Sequence, residues 1–342
     1  MKKKSAFPHV LAFFMMILLC TGGCGHSPVQ KTGTDRNAAF VAIPLGTAGG
    51  ADEANLSAYL LAPAASAEYI ALDAGTLYAG LRKACLRYSF GESVRNPETV
   101  LRDHVKAYLI SHAHLDHAAG LVMASPDDKA KPVIGLAQTT DHIRDHLFNG
   151  KIWPNFGNEG DGFQIKKYQY VRLNPGETYT IGQTQMTVTA FELSHSKDYI
   201  STAFLICANQ KYVLYFGDTG PDAVENSTRM HTVWTAVAPL VQDHSLTGIF
   251  LEASFPSSHP DHLLFGHLTP KWMITELRKL AELADPQHPE TALHGLKVVV
   301  THIKPSWNPA DNPKAVIMRE LAEYNDLGVE FILPEQGERI AF

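Results

Sequence analysis

Residues 112–117 read His-Ala-His-Leu-Asp-His, placing four side chains able to hold a metal within six positions. They directly follow the apolar run Val105–Ile110, so a strand ending in a polar elbow would gather His112, His114, Asp116 and His117 into one pocket. Imidazole and carboxylate together suit zinc, manganese or iron, and four ligands this close can serve two ions rather than one. Further donors follow other apolar runs: His195 after Met186–Phe191, Asp218 after Tyr212–Phe216 and His302 after Leu296–Val300. Together they make five histidines and two aspartates, enough for two ions with positions left open for water. A side-chain nucleophile is not signalled, because Cys207 lies within an apolar run and no Gly-x-Ser-x-Gly elbow occurs.

The elements needed to hold these residues are legible as apolar runs ending in polar groups. Besides those named, Val41–Leu45 leads into Gly46-Thr47-Ala48-Gly49-Gly50, Tyr69–Leu72 ends at Asp73 and Ile249–Leu251 ends at Glu252. Helices are expected in part of Pro97–Lys106, and over Asp116–Ala124, Thr139–Phe148, Ala223–Met230, Pro270–Leu283 and Pro313–Leu327. Near-continuous apolar strands alternating with amphipathic helices mean sheets covered by helices, an α/β class. The glycines at 49 and 50 are expected to allow a close approach to the site, and Asp73 to brace the metal loop. Residues 149–182 have another texture: Trp153, Pro154, Asn155 and Phe156, then Gly157, Gly160 and Gly162, then a Pro-Gly turn. This segment reads as a long loop walling the site, followed by a hairpin-like return.

Longer stretches carry a resemblance. They are His112-Ala113-His114-Leu115-Asp116-His117-Ala118-Ala119-Gly120-Leu121-Val122-Met123-Ala124-Ser125-Pro126, Phe148-Asn149 with Trp153-Pro154-Asn155, Leu251-Glu252-Ala253-Ser254-Phe255 and Gly266-His267-Leu268-Thr269-Pro270. Over about residues 38–342 the chain resembles the metallo-β-lactamase superfamily and, within it, the class II 3′,5′-cyclic-nucleotide phosphodiesterases. The resemblance implies a four-layer αββα sandwich with a dinuclear site at the edge where the sheets meet. His112, His114 and His195 would hold the first ion, Asp116, His117 and His302 the second, and Asp218 would bridge them. Zinc is the expected metal, with manganese or iron as alternatives. The reaction implied is hydrolysis of cyclic AMP, with cyclic GMP as a second substrate, by a hydroxide generated from metal-bound water. His267 is assigned to phosphate contact or proton donation, with Glu252 orienting it and Asp116 part of the catalytic centre. Phe148, Trp153 and Asn155 are expected to meet the nucleoside, since an aromatic face can stack a purine and an amide can read its edge. Another hydrolase of the same fold, such as a lactonase, is the alternative enzyme, and a metal- or nucleotide-binding lipoprotein the alternative from another class.

The chain begins as an address. Lys2, Lys3 and Lys4 precede the apolar run Val10–Leu19 and Thr21-Gly22-Gly23-Cys24. That run is shorter than the ~20 residues a bilayer span needs, so residues 1–24 read as a lipoprotein-type signal with Cys24 the lipidated residue. Residues 25–40 read as a tether and 41–342 as one hydrolase domain. The expected location is the periplasm, on the outer membrane, with membrane contact only through the lipid. Without the three leader lysines, 26 Lys and Arg face 35 Asp and Glu, a formal charge of −9, which disfavours nucleic acid polymers as partners. Cys85 and Cys207 are expected as two buried thiols rather than a bridge. A twofold homodimer is the assembly expectation.

Overall fold

Strands that must be covered on both faces need apolar residues at successive positions, and the computed structural model, which describes residues 38–197 and 199–342, builds two such sheets. The first runs β14 (Ile340–Ala341), β1 (Phe40–Gly46), β2 (Ala58–Pro63), β3 (Tyr69–Leu72), β4 (Val105–Leu109), β5 (Lys131–Leu136), β6 (Tyr168–Leu173). The second runs β13 (Glu330–Ile332), β12 (Lys297–Thr301), β11 (Leu246–Glu252), β10 (Lys211–Phe216), β9 (Ile200–Ala208), β8 (Thr187–Ser194), β7 (Thr178–Thr180). Each sheet passes from antiparallel to parallel pairing: β3, β4, β5 and β6 are mutually parallel, as are β10, β11, β12 and β13.

Side chains alternate between faces along each strand, so consecutive apolar residues feed two cores. Val299 and Leu61 face the layer between the sheets, with Phe204, Val213 and Phe250. Val298 and Val300 face outward beneath Trp234 and Val237 of the helix Arg229–Gln242 and Leu277 and Leu280 of the helix Pro270–Ala284. Leu60, Ile110 and Val133 face the other way, packing with Leu81 of the helix Tyr78–Leu86 and Leu121 of the helix Leu115–Ala124. The result is the expected four-layer αββα sandwich.

Several local expectations need correction. The helix expected over Ala223–Met230 is instead a short turn of helix, Asp222–Glu225, and then the longer Arg229–Gln242. Thr139–Phe148 is covered by Ala137–His142, continued by a π-helical turn over Ile143–Leu147. The hairpin-like return does not form: β6 pairs with β5 in one sheet and β7 with β8 in the other. Cys85 and Cys207 are both free thiols, but only Cys85 is buried, Cys207 being half-buried. The leader, Cys24 and most of the tether lie outside the described residues.

Candidate dinuclear metal centre

Parallel strands deliver their carboxyl ends to one edge of the sandwich, and the chemistry-bearing residues sit there. β3 ends at Asp73, β4 leads through Ile110 and Ser111 into the His112–His117 elbow, and β8 is followed by His195. Asp218 follows β10, Glu252 closes β11 and His302 follows β12. Two of the resulting donor groups take in all seven expected ligands: His112, His114 and His195 in one, Asp116, His117, Asp218 and His302 in the other, each with donor atoms within 4.8 Å of one another.

Asp218 lies between the groups. Its Oδ2 is 3.8 Å from His112 Nε2 and 3.9 Å from His195 Nε2, and 3.2 Å from His302 Nε2. Its Oδ1 is 3.2 Å from His117 Nε2. Burial opposes ionisation of Asp218, yet His117 and His302 outweigh it and hold the carboxyl well below the usual carboxylate range.

The hydrogen bonds behind the imidazoles decide what can occupy the centre. Ser111 Oγ donates to Asp73 Oδ2 at 2.8 Å, so at 3.0 Å it accepts from His112 Nδ1. His195 Nδ1 donates to the Gly266 carbonyl at 2.9 Å, and His117 Nδ1 to Asp73 at 2.8 Å. The Ser254 hydroxyl donates to Glu252 and accepts from His302 Nδ1 at 2.9 Å. Each ring therefore turns the lone pair of Nε2 inward. His112 Nε2 and His195 Nε2 both converge on His114 Nδ1, at 3.1 and 3.3 Å. His302 Nε2 meets Asp116 Oδ2 at 3.2 Å. His117 Nε2, although 3.2 Å from Asp218, has no hydrogen-bond partner of acceptable geometry. Lone pairs facing lone pairs in a buried site are stable only around positive charge, so the residues fit two bound cations.

The electrostatics agree. Burial pushes His195 down to about 4 and His112 well below the usual range, so both are neutral ligands. For His117, burial is overcome by Asp218 and Asp73, which raise it far above its ordinary value, as expected where the surroundings call for positive charge. The backbone is also strained here. Asp73 and His302, neither of them glycine, hold φ of 56° and 57° in the left-handed region. Gly49 permits the close approach anticipated, since a Cβ there would lie 2.2 Å from the His302 ring, and the Gly50 N–H donates to Asp116 Oδ2 at 2.9 Å.

Beside the donors, His267 Nδ1 donates to Glu252 at 3.0 Å, and Glu252 also accepts from the backbone N–H of Thr219 and of Leu268. Burial would lower the His267 pKa, but Glu252 overrides it and raises it.

The nucleoside contacts expected at Phe148 and Asn155 require correction. Phe148 is fully buried among Phe156 and Tyr168, with no free face for a base. Asn155 is also buried, its amide donating to the carbonyls of Glu159 and Asp161 and accepting from Gly157 N–H. Trp153 packs against the same core and donates Nε1–H to Ser125 Oγ at 3.0 Å. All three hold the 149–167 segment to the sheet. Ser111 and Ser254 were not anticipated, since a lone serine beside a ligand carries no spacing signal.

Comparison with known proteins gives a consistent result. The family model for class II cAMP phosphodiesterases matches residues 36–337. A 3′,5′-cyclic-nucleotide phosphodiesterase of Aliivibrio fischeri is 42% identical over 315 residues, covering 90% of this chain and 94% of its own. A Dictyostelium discoideum cAMP/cGMP-dependent 3′,5′-cAMP/cGMP phosphodiesterase A is 31% identical, covering 89% and 82% respectively. The crystal structure of unliganded yeast PDE1 superposes with a TM-score of 0.78 at 25% identity, over 89% of this chain and all of that one. The metallo-β-lactamase fold protein YhfI of Bacillus subtilis shares the fold at a TM-score of 0.58 and 15% identity, over 88% of this chain and 98% of its own. The chain belongs to the class II cyclic-nucleotide phosphodiesterase family of the metallo-β-lactamase superfamily.

Proposed function

We propose that this enzyme hydrolyses 3′,5′-cyclic AMP, and cyclic GMP as a second substrate, to the nucleoside 5′-monophosphate with two zinc ions. Metal-dependent hydrolysis of cyclic nucleotides is the activity of the family to which it belongs. The observation that carries the mechanism is a buried imidazole, His267, held by Glu252 beside a complete set of ligands for two ions.

His112, His114 and His195 would hold one ion, and Asp116, His117 and His302 the other, with Asp218 between. The donors are imidazole and carboxylate without thiolate, which suits zinc and also accommodates manganese or iron. Bound there, two dications would neutralise the phosphodiester, acidify a water and stabilise charge on the departing oxygen. The chain's own side chains do the rest. Glu252 fixes the His267 tautomer so that Nε2 is the nitrogen left to exchange a proton. Glu252 raises the His267 pKa against the effect of burial, favouring the protonated ring that would donate to the 3′ oxygen as the phosphorus–O3′ bond breaks and the water oxygen joins phosphorus. The test is incubation of zinc-reconstituted protein with each cyclic nucleotide and chromatography of the products. Formation of 5′-monophosphate is expected; absence of it while a lactone turns over would overturn the reading.

We further propose export and anchoring through Cys24, on the strength of the Lys2–Lys4 cluster, the short apolar run and the small residues before the cysteine. The substrate pool would then lie outside the cytoplasm. Intact-mass measurement of protein from its native host tests this: a chain starting at Cys24 with lipid mass is expected, and retention of Met1 would defeat it.

A further inference from the structure

The ligand imidazoles are not all held in the same way. His112, His117, His195 and His302 each have an acceptor behind the ring: Ser111, Asp73, the Gly266 carbonyl and Ser254. His114 has none. It turns Nδ1 inward to His112 and His195, is the most exposed of the five, and has no hydrogen-bond acceptor for Nε2 among the described residues. What it has instead is Tyr199, whose ring stacks on it at a centroid distance of 4.6 Å and an interplanar angle of 19°.

Tyr199 is placed for this by both halves of the sandwich. Backbone hydrogen bonds run from His195 N to Tyr199 O, 3.0 Å, and from Tyr199 N to Ser196 O, 3.2 Å. The next residue, Ile200, donates its N–H to Gln138 Oε1 at 3.0 Å. Gln138 lies on the helix Ala137–His142, and His142 of that helix packs on the same tyrosine at 5.7 Å and 32°. Edge contacts of 6.0 Å bring the Tyr199 ring to His112 and His195 as well. One aromatic ring therefore touches all three donors of the His112–His114–His195 group, two from the first sheet's elbow and one from the second sheet.

We propose that Tyr199 is a positioning residue for the first metal ion, its ring replacing for His114 the hydrogen-bond acceptor that the other ligand imidazoles possess. The inference rests on the two-ion reading of the centre. A ligand whose orientation is fixed before the ion arrives binds it more tightly, and loss of such support typically costs about 10-fold or more in metal affinity. The ring, rather than the hydroxyl, carries the effect.

The test is zinc titration of metal-stripped wild type, Y199F, Y199L and Y199M against a competing chelator. His195→Ala, titrated in parallel, identifies which of the two ions belongs to the first group. Y199L and Y199M should bind that ion about 10-fold more weakly and the other ion normally, while Y199F stays within about twofold of wild type. Thermal melting of the metal-stripped variants gives a readout independent of the ion, and little change is expected at this half-buried position. Wild-type affinity in Y199L would overturn the proposal. So would equal weakening of both ions, or a loss in Y199F as large as in Y199L. Failure of the wild type to bind two ions would overturn the underlying centre as well, so the two failures are distinct.

Discussion

Asp73→Asn is the most informative perturbation, because it changes one atom at a residue that touches no substrate. The Asp73 carboxylate is wholly buried and accepts four hydrogen bonds: Ser111 N–H at 2.7 Å on Oδ1, and Ser111 Oγ, His117 Nδ1 and Tyr215 Oη at 2.8, 2.8 and 2.6 Å on Oδ2. Asparagine adopts the left-handed backbone as readily as aspartate, so the φ of 56° adds no cost. The amide can keep its oxygen toward the three donors on the Oδ2 side only by turning NH2 against the Ser111 N–H. Leaving that pair unsatisfied costs ~1–3 kcal/mol, and three charge-assisted bonds become neutral at ~1 kcal/mol each. Relief from burying a charge offsets part of this, leaving a net loss of about 2–4 kcal/mol. Urea unfolding of metal-stripped wild type and D73N, with the slope compared to confirm two-state behaviour, reads that loss. His117 also loses its charged partner, so the second ion should bind about 10-fold more weakly. A variant within ~0.5 kcal/mol of wild type that binds both ions normally would refute the assignment of Asp73 as the brace.

Other outcomes follow from the same geometry. His267→Ala should retain both ions yet slow turnover by ~10²–10⁴, and loss of metal in elemental analysis would make it a ligand instead. Asp218→Ala should release both ions together, whereas His195→Ala should leave the Asp116–His117–His302 group able to bind one. Gly49→Ala would drive a methyl into the His302 ring, 2.2 Å away, and should lower occupancy of the second ion while sparing the first. Phe148→Ala should destabilise by ~3–5 kcal/mol through a cavity with KM unchanged in the protein that remains folded; a large KM effect would restore it as a substrate contact.

The ligand residues were legible because the chemistry and the position coincide: each follows an apolar run, and His-x-His-x-Asp-His packs four donors into one elbow. Partnership between strands was not legible. The β6 and β7 segments each read as extended, but nothing local says that they belong to different sheets. The helix Arg229–Gln242 was not read as an element of its own: the expected helix ran across Asn226, whose left-handed backbone ends the short turn Asp222–Glu225 before the longer helix begins at Arg229. Phe148 and Asn155 show the limit on site contacts. An aromatic in a glycine-rich segment can face a ligand or anchor the loop, and for Phe148 only the three-dimensional neighbours, Phe156 and Tyr168, decide for anchoring. The braces Ser111, Ser254 and Tyr199 act through single contacts across the fold, which no spacing within the chain encodes.

The division of ligands between the sheets bears on the order of assembly. Residues up to β6 contribute His112, His114, Asp116 and His117, and later residues supply His195, Asp218 and His302. The first imidazole cluster needs His195, and the second lacks its central carboxylate until Asp218 arrives. In a chain that folds from its amino end, both donor groups would therefore stay incomplete until the later sheet docks. Metal binding would then tie the two sheets together, and a chelator present during refolding should leave a sandwich whose two layers come apart more readily than either layer unravels.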